Sequence, residues 1–199
     1  MSKIRIGVVN VSDRASAGVY EDLSGPEIER HVAALFPDCA LDWQRVLLPD
    51  DIGLLSGALV ELVDDRRCAL IVTTGGTGPA PRDVMPEATR AVIERELPGF
   101  GEIMRAYSFE QVKVSILSRA SAGVRGRTFI INMPSRPKAV KFCLRIVRDG
   151  LVEVLDQVAG ILVTLRRDEI VVPLEKWFPF LKRFRVQPNP DGEHPYIGG

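Results

Sequence analysis

The chain has 199 residues, 46% of them hydrophobic and 26% charged, a balance that builds one ordinary core and excludes disordered, collagenous and disulfide-scaffold classes. A chain of this size buries about 70% of its extended surface on folding. Lys and Arg number 26 against 26 Asp and Glu, so no net positive field holds a polyanion; nucleic acid is excluded as a partner, and a small anionic ligand is not.

In chain order, Ile4 to Val11 is rich in β-branched residues and ends in Ser12-Asp13-Arg14, a buried strand feeding a loop that runs to Leu23. From Gly25-Pro26, Ile28, Val32, Leu35 and Phe36 fall near helical spacing until Pro37 closes the run. Leu41 to Leu48 reads as a strand, Pro49-Asp50-Asp51 as a turn, and Ile52, Leu55, Leu59, Leu62 and Val63 as a helix capped by Asp50 or Asp51. Cys68 to Thr74 is a third strand running into Gly75-Gly76-Thr77-Gly78-Pro79, after which Pro86 opens a helix through Glu94. A further helix follows over Pro98 to Tyr107, then a strand over Thr128 to Asn132, then a long helix from Arg136 to about Val158 with a break expected at Gly150. Strands alternating with helices predict an α/β fold, a mostly parallel sheet covered on both faces. With no internal repeat or linker, residues 1–160 are expected to form one domain and 161–199 a C-terminal extension packing on it or on a subunit interface.

Cys39, Cys68 and Cys143 are odd in number and lack metal-ligand spacing, which fits a reducing compartment, with Cys68 and Cys143 as small buried apolar groups. Only His31 and His194 are present, so the chemistry must rest on other groups. No signal-peptide pattern opens the chain, and Leu151 to Leu165 is too short and too interrupted by charge to cross a bilayer. A cytoplasmic protein with no membrane partner is expected.

Ligands of open α/β sheets bind beyond the carboxyl ends of the strands. The qualifying loops are Asn10 to Asp22, Leu48 to Asp51 and Gly75 to Val84, with Pro134 to Lys138 closing the set. Gly75, Gly76 and Gly78 allow bare backbone to approach a phosphate, although the loop lacks the ending of a P-loop and can equally be a tight turn. Asp83 can hold a divalent ion or cap the helix that follows; Asp50 is likewise a functional carboxylate or a cap. Ser12, Asp13 and Arg14 offer a hydroxyl, a carboxylate and a phosphate-binding fork, or simply a polar loop.

The run Val9-Asn10-Val11-Ser12-Asp13-Arg14-Ala15-Ser16-Ala17-Gly18 through Asp22 resembles the opening signature of MogA-type molybdopterin adenylyltransferases and their plant and animal relatives. Thr73 to Pro79 together with Arg82 to Thr89 is similar to that family's central motif; Pro98 to Glu102, Leu117-Ser118-Arg119 and Ile131-Asn132-Met133-Pro134 match further segments. The resemblance implies a three-layer α/β sandwich, a homotrimer, and transfer of AMP from Mg-ATP to molybdopterin with release of pyrophosphate, the product passing to a molybdenum-insertion enzyme. It implies Asp50 and Asp83 as the catalytic and Mg²⁺-binding carboxylates. It also implies Thr77 and Gly78 in the phosphate loop, Ser12, Ser118 and Arg119 around pterin or adenylate, and Pro134 and Ser135 in a loop near the ligand.

Two departures stand out. Relatives carry glycine where this chain has Ser135, which is expected to strain or displace that loop and keeps a non-catalytic pterin-binding or scaffold member as the alternative reading. After about residue 160 the resemblance fades, and Leu174, Trp177, Phe178, Leu181 and Phe184 recur at helical spacing across Pro179, as core, interface or a partner-docking tail.

Overall fold

The computed structural model describes residues 3–13, 24–37 and 39–162, all of them in the compact unit Met1–Leu165. The expectations for the loop over residues 14–23, for His194 and for the aromatic run of the tail lie outside the described residues. Six strands and five α-helices are described: β1 (Ile4–Val11), α1 (Ser24–Ala33), β2 (Leu41–Leu48), α2 (Ile52–Val60), β3 (Leu70–Thr74), α3 (Met85–Val92), β4 (Arg95–Glu96), α4 (Pro98–Gln111), β5 (Ala122–Arg125), β6 (Thr128–Met133) and α5 (Pro137–Ala159).

The strands form one sheet in the order β2-β1-β3-β6-β5-β4. The first four are parallel, and β5 and β4 complete the sheet antiparallel. Strand pleating sends alternate side chains to opposite faces. Ile6, Val8, Leu70, Val72, Phe129 and Ile131 meet α1, α4 and α5 in one core, while Val9, Val11, Ile71 and Ile130 meet α2 and α3 in the other. The three expected layers are therefore present, and the runs of consecutive apolar residues in β1, β3 and β6 reflect burial on both faces.

Local signals account for most element ends. Proline occupies the first turn of α3, α4 and α5, where no intrahelical N–H bond is lost. Asp51 caps α2 by accepting from the Leu54 N–H at 2.9 Å, which settles the choice between Asp50 and Asp51. Gly160 closes α5 in the left-handed conformation at φ +69°.

Three expectations are corrected. Helix α5 runs without interruption through Gly150; a Cβ there would stand 3.3 Å from the Phe100 ring, so the glycine serves the packing of α4 on α5. Beyond α2 the chain continues in a π-helical turn, Glu61–Asp65. Strands β4 and β5 were not anticipated, because β4 is two exposed residues and β5 a four-residue run containing Gly123, both too short to display alternation.

Asn132, fully buried on β6, ties four elements together. Its Nδ2 donates to Thr73 Oγ1 at 3.0 Å and to Thr89 Oγ1 at 2.8 Å. Its Oδ1 accepts from the Ser121 N–H and hydroxyl, each at 3.3 Å. Buried polar networks of this kind are costly once broken, because each orphaned partner keeps its desolvation penalty. Asn132→Ala is expected to destabilise the protein by about 3 kcal/mol in urea denaturation; a loss below about 0.5 kcal/mol would show that the network does not organise this side of the sheet.

Candidate active site

Parallel register brings four loops to one edge of the sheet. Val11 stands opposite Leu48, Asn10 opposite Thr74, and Thr74 opposite Met133, so the chain leaves β1, β2, β3 and β6 at the same level. Strand order reverses between β1 and β3, the topological switch where such sheets open a crevice. Ser12-Asp13 and Gly75 to Gly78 flank it.

The two predicted aspartates meet there. Asp50 donates its N–H to Asp13 Oδ1 at 3.1 Å, while its own Oδ1 is buried without a hydrogen-bond partner. Burial first, and then repulsion from the Asp83 carboxylate, holds the Asp50 carboxyl above its usual range. Asp83 does not cap α3: Val84 is the N-cap residue, and Asp83 Oδ2 instead accepts from the Ala80 N–H at 2.9 Å. Its N–H donates to the Ala80 carbonyl, also at 2.9 Å. Neither aspartate caps a helix, so capping does not explain either one.

The glycines of the loop follow from these carboxylates. A Cβ on Gly76, whose φ is +59°, would lie 2.7 Å from Asp50 Oδ1, and one on Gly78 would lie 2.7 Å from Asp83 Oδ2. The positive φ of Gly76 calls for glycine, whereas a Cβ at Gly78 would require only the end of the Asp83 side chain to shift. Gly75 closes the turn at φ +97°, its backbone pressed on the Val11 carbonyl, and Thr77 is buried.

Arg119 braces the loop from the β5 side. Its Nε donates to the Gly78 carbonyl at 2.8 Å, and its two terminal nitrogens reach Glu87 and the Asp83 carbonyl. Its backbone N–H donates to the Thr77 carbonyl at 2.8 Å. Arg119 thus braces the glycine loop, with each guanidinium nitrogen engaged. Ser118 precedes it, its hydroxyl oxygen accepting from the Ala120 N–H at 3.3 Å. Arg105 reaches the carbonyls of Ser118 and Ala120. On the other flank, the Thr74 hydroxyl donates to the Pro134 carbonyl at 2.8 Å, the Ser24 hydroxyl donates to the Ser135 carbonyl at 2.6 Å, and the Ser12 N–H bonds the Leu48 carbonyl at 2.9 Å.

Ser135 departs from expectation. It is exposed and absent from the left-handed region, which among described non-glycine residues holds Arg67 alone. The serine therefore imposes no left-handed backbone strain, and that part of the expectation is corrected. Glu87, Arg105 and Thr89 are supporting residues that sequence reasoning missed. Glu87 had a detectable signal, four residues beyond Asp83 on the first turn of α3, where its carboxylate meets Arg119. Among the described residues no cluster of three or more His, Cys, Asp or Glu side chains can hold a metal ion. Cys68 and Cys143 are buried as expected, and burial pushes both thiols up to about 11.

Because the folded state raises the Asp50 carboxyl, it binds that proton more tightly than the unfolded chain does. The contribution of Asp50 to stability is then fully present below the ordinary carboxylate range and is lost as pH rises through its elevated range. Asp50→Asn is expected to raise the melting temperature at neutral pH and to flatten this decline, in thermal melts across the acidic range. A lower melting temperature at neutral pH would mean that the charged carboxylate is satisfied in the folded protein.

The sequence profile of a family described as "probable molybdopterin binding domain" matches residues 7–153. The chain is 44% identical over 160 residues to a molybdopterin adenylyltransferase of Helicobacter pylori, covering 80% of this chain and 90% of that protein. It is 45% identical over 150 residues to the Escherichia coli protein of the same name, covering 75% and 76%. Among solved structures, the molybdopterin biosynthesis enzyme MoaB of Thermus thermophilus superposes with a TM-score of 0.73 at 37% identity, covering 81% of this chain and 99% of that one. The tungsten cofactor synthesizing protein MoaB of Pyrococcus furiosus gives 0.69 at 32% identity, covering 79% and 98%. Since the matched span holds the sheet, both aspartates and the glycine loop, the chain belongs to the MogA/MoaB family of molybdopterin adenylyltransferases.

Proposed function

We propose that this chain is itself a molybdopterin adenylyltransferase of molybdenum cofactor biosynthesis, joining AMP from ATP to the terminal phosphate of molybdopterin. The carrying observation is the buried, unpartnered Asp50 carboxylate oxygen set against Gly76 and repelled by Asp83. Such an arrangement suits a positively charged guest between acids and phosphates.

In this reaction a molybdopterin phosphate oxygen bonds to the α-phosphorus of ATP, and the bond from that phosphorus to the bridging oxygen breaks, releasing pyrophosphate. Little covalent work falls to the protein; alignment and charge stabilisation supply the rate. That matches a site without histidine or accessible thiol among the described residues. Gly75 to Gly78 present backbone to the phosphates, and Arg119 and Glu87 keep that backbone in place. Ser12, Ser118, Pro134 and Ser135 line the flanking loops where pterin and adenylate would lie.

Two hard carboxylates with one orphaned oxygen fit Mg²⁺, which commonly takes one or two protein carboxylates and completes its shell with water and substrate phosphates. Asp50 and Asp83 would hold it, and it would supply neutralisation of the phosphate charge. Among the described residues no three acids, histidines or cysteines are grouped to hold a metal ion, which accords with a site completed by the nucleotide.

Ile103, Phe109, Val112, Val114, Ile116 and Leu117 leave a run of apolar surface on α4 and the 3₁₀ turn after it, Lys113–Leu117, which supports assembly into a trimer. Three free cysteines, and no described helix long and apolar enough to cross a membrane, accord with cytoplasmic action ahead of a metal-inserting enzyme.

Pyrophosphate release on mixing the protein with ATP and molybdopterin tests the activity, and release no faster than without protein overturns it. Asp83→Asn keeps the side-chain volume while removing charge, and is expected to lower the rate by about 10²–10³ with the fold intact by circular dichroism. An unchanged rate at saturating Mg-ATP would reduce Asp83 to a residue that shapes its loop.

A further inference from the structure

We propose that Asp13 and Arg82 form a clamp across the crevice that positions both aspartates, a role that rests on the reading of Asp50 and Asp83 as the charge-handling pair. Asp13 uses its two carboxylate oxygens in different directions: Oδ1 accepts from the Asp50 N–H at 3.1 Å, and Oδ2 pairs with the Arg82 guanidinium. One side chain at the end of β1 thus fixes the turn after β2 and the loop after β3.

The Arg82 end of the clamp acts on a stiff piece of chain. Asp83 bonds Ala80 through both its N–H and its Oδ2, so residues 80–83 form a closed turn and Arg82 cannot be drawn toward Asp13 without carrying Asp83 with it. From the opposite side Arg119 grips the Gly78 and Asp83 carbonyls. The loop is therefore held between β1 and β5, and its Asp83 carboxylate is kept beside an Asp50 that repels it. Like charges relax apart unless the backbone prevents it. The Asp13–Arg82 pair spans the switch between β1 and β3.

An ion pair with Arg82 69% exposed and Asp13 30% exposed adds little to global stability. Its consequence is placement, and small displacements at a transfer site cost up to about 10²-fold in rate. Neither residue is assigned contact with substrate; both act through the aspartates.

The test uses the full chain with Asp13→Asn, Arg82→Gln, their combination, and Asp13→Ala. Each of the first two is expected to lower kcat about tenfold with KM for molybdopterin within about twofold, and the double variant to be no slower than the worse single one, since both break one link. Melting temperatures should stay at the wild-type value. Independently of activity, hydrogen exchange in nucleotide-free and metal-free protein should quicken at the Asp50 amide in Asp13→Ala, whereas Asp13→Asn, which keeps an acceptor, preserves its protection. Wild-type kcat in the single variants, multiplying losses in the double, or unchanged Asp50 exchange in Asp13→Ala would each overturn the clamp. Asp50→Asn measured in parallel separates the two readings: a wild-type rate there overturns the charge-pair assignment itself, while an impaired Asp50→Asn beside fully active Asp13 and Arg82 variants overturns the clamp alone.

Discussion

Two carboxylates held within repelling range of each other, with backbone pressed against both, set the terms for this end of the molecule. A Cβ on Gly76 or Gly78 would crowd the Asp50 or Asp83 carboxylate, and the positive φ of Gly75 and Gly76 calls for glycine outright. The Asp50 carboxyl is kept from its ordinary ionisation range by burial and by its neighbour. Such an arrangement costs folding free energy, and it persists only where the surroundings over-determine it.

The surroundings do so in layers. Two apolar cores clamp the sheet from both faces, and parallel pairing of β1, β2, β3 and β6 delivers their ends to one edge in register. The buried Asn132 network joins β6 to β3, α3 and the start of β5, and so fixes the spacing of three segments that lead into site loops. Arg119, carried in just before β5, then grips the loop by its carbonyls. The antiparallel strands, which hold no candidate acid, thereby deliver the brace on which the glycine loop depends.

Much of this was legible from particular residues. β-Branched runs marked β1, β3 and β6, prolines marked helix starts, and the Asp50, Gly75–Gly78 and Asp83 segments fell at strand ends, where α/β sheets place ligands. Spacing alone left both aspartates divided between cap and function, because a cap is a local geometry that depends on one hydrogen bond. Asp51 taking the Leu54 N–H resolved the first case, and Val84 standing at the N-cap of α3 resolved the second. The resemblance puts Arg119 near pterin or adenylate, but its bracing bonds were not legible, since its partners lie more than thirty residues away and sequence periodicity carries no such information. Ser135 read as strained for a related reason: a glycine in relatives marks a permitted conformation, and the backbone here does not use it. Strands β4 and β5 escaped because pairing with β6, rather than intrinsic pattern, makes them strands.

The central claim is that Asp50 and Asp83 together create a cation site completed by nucleotide phosphate. Titration of Mn²⁺ into the protein with a non-hydrolysable ATP analogue, followed by electron paramagnetic resonance, reads that site directly. The account predicts nucleotide-dependent binding of one Mn²⁺ per chain, weakened at least about tenfold by either Asp50→Asn or Asp83→Asn. Equal affinity in wild type and both variants would contradict it.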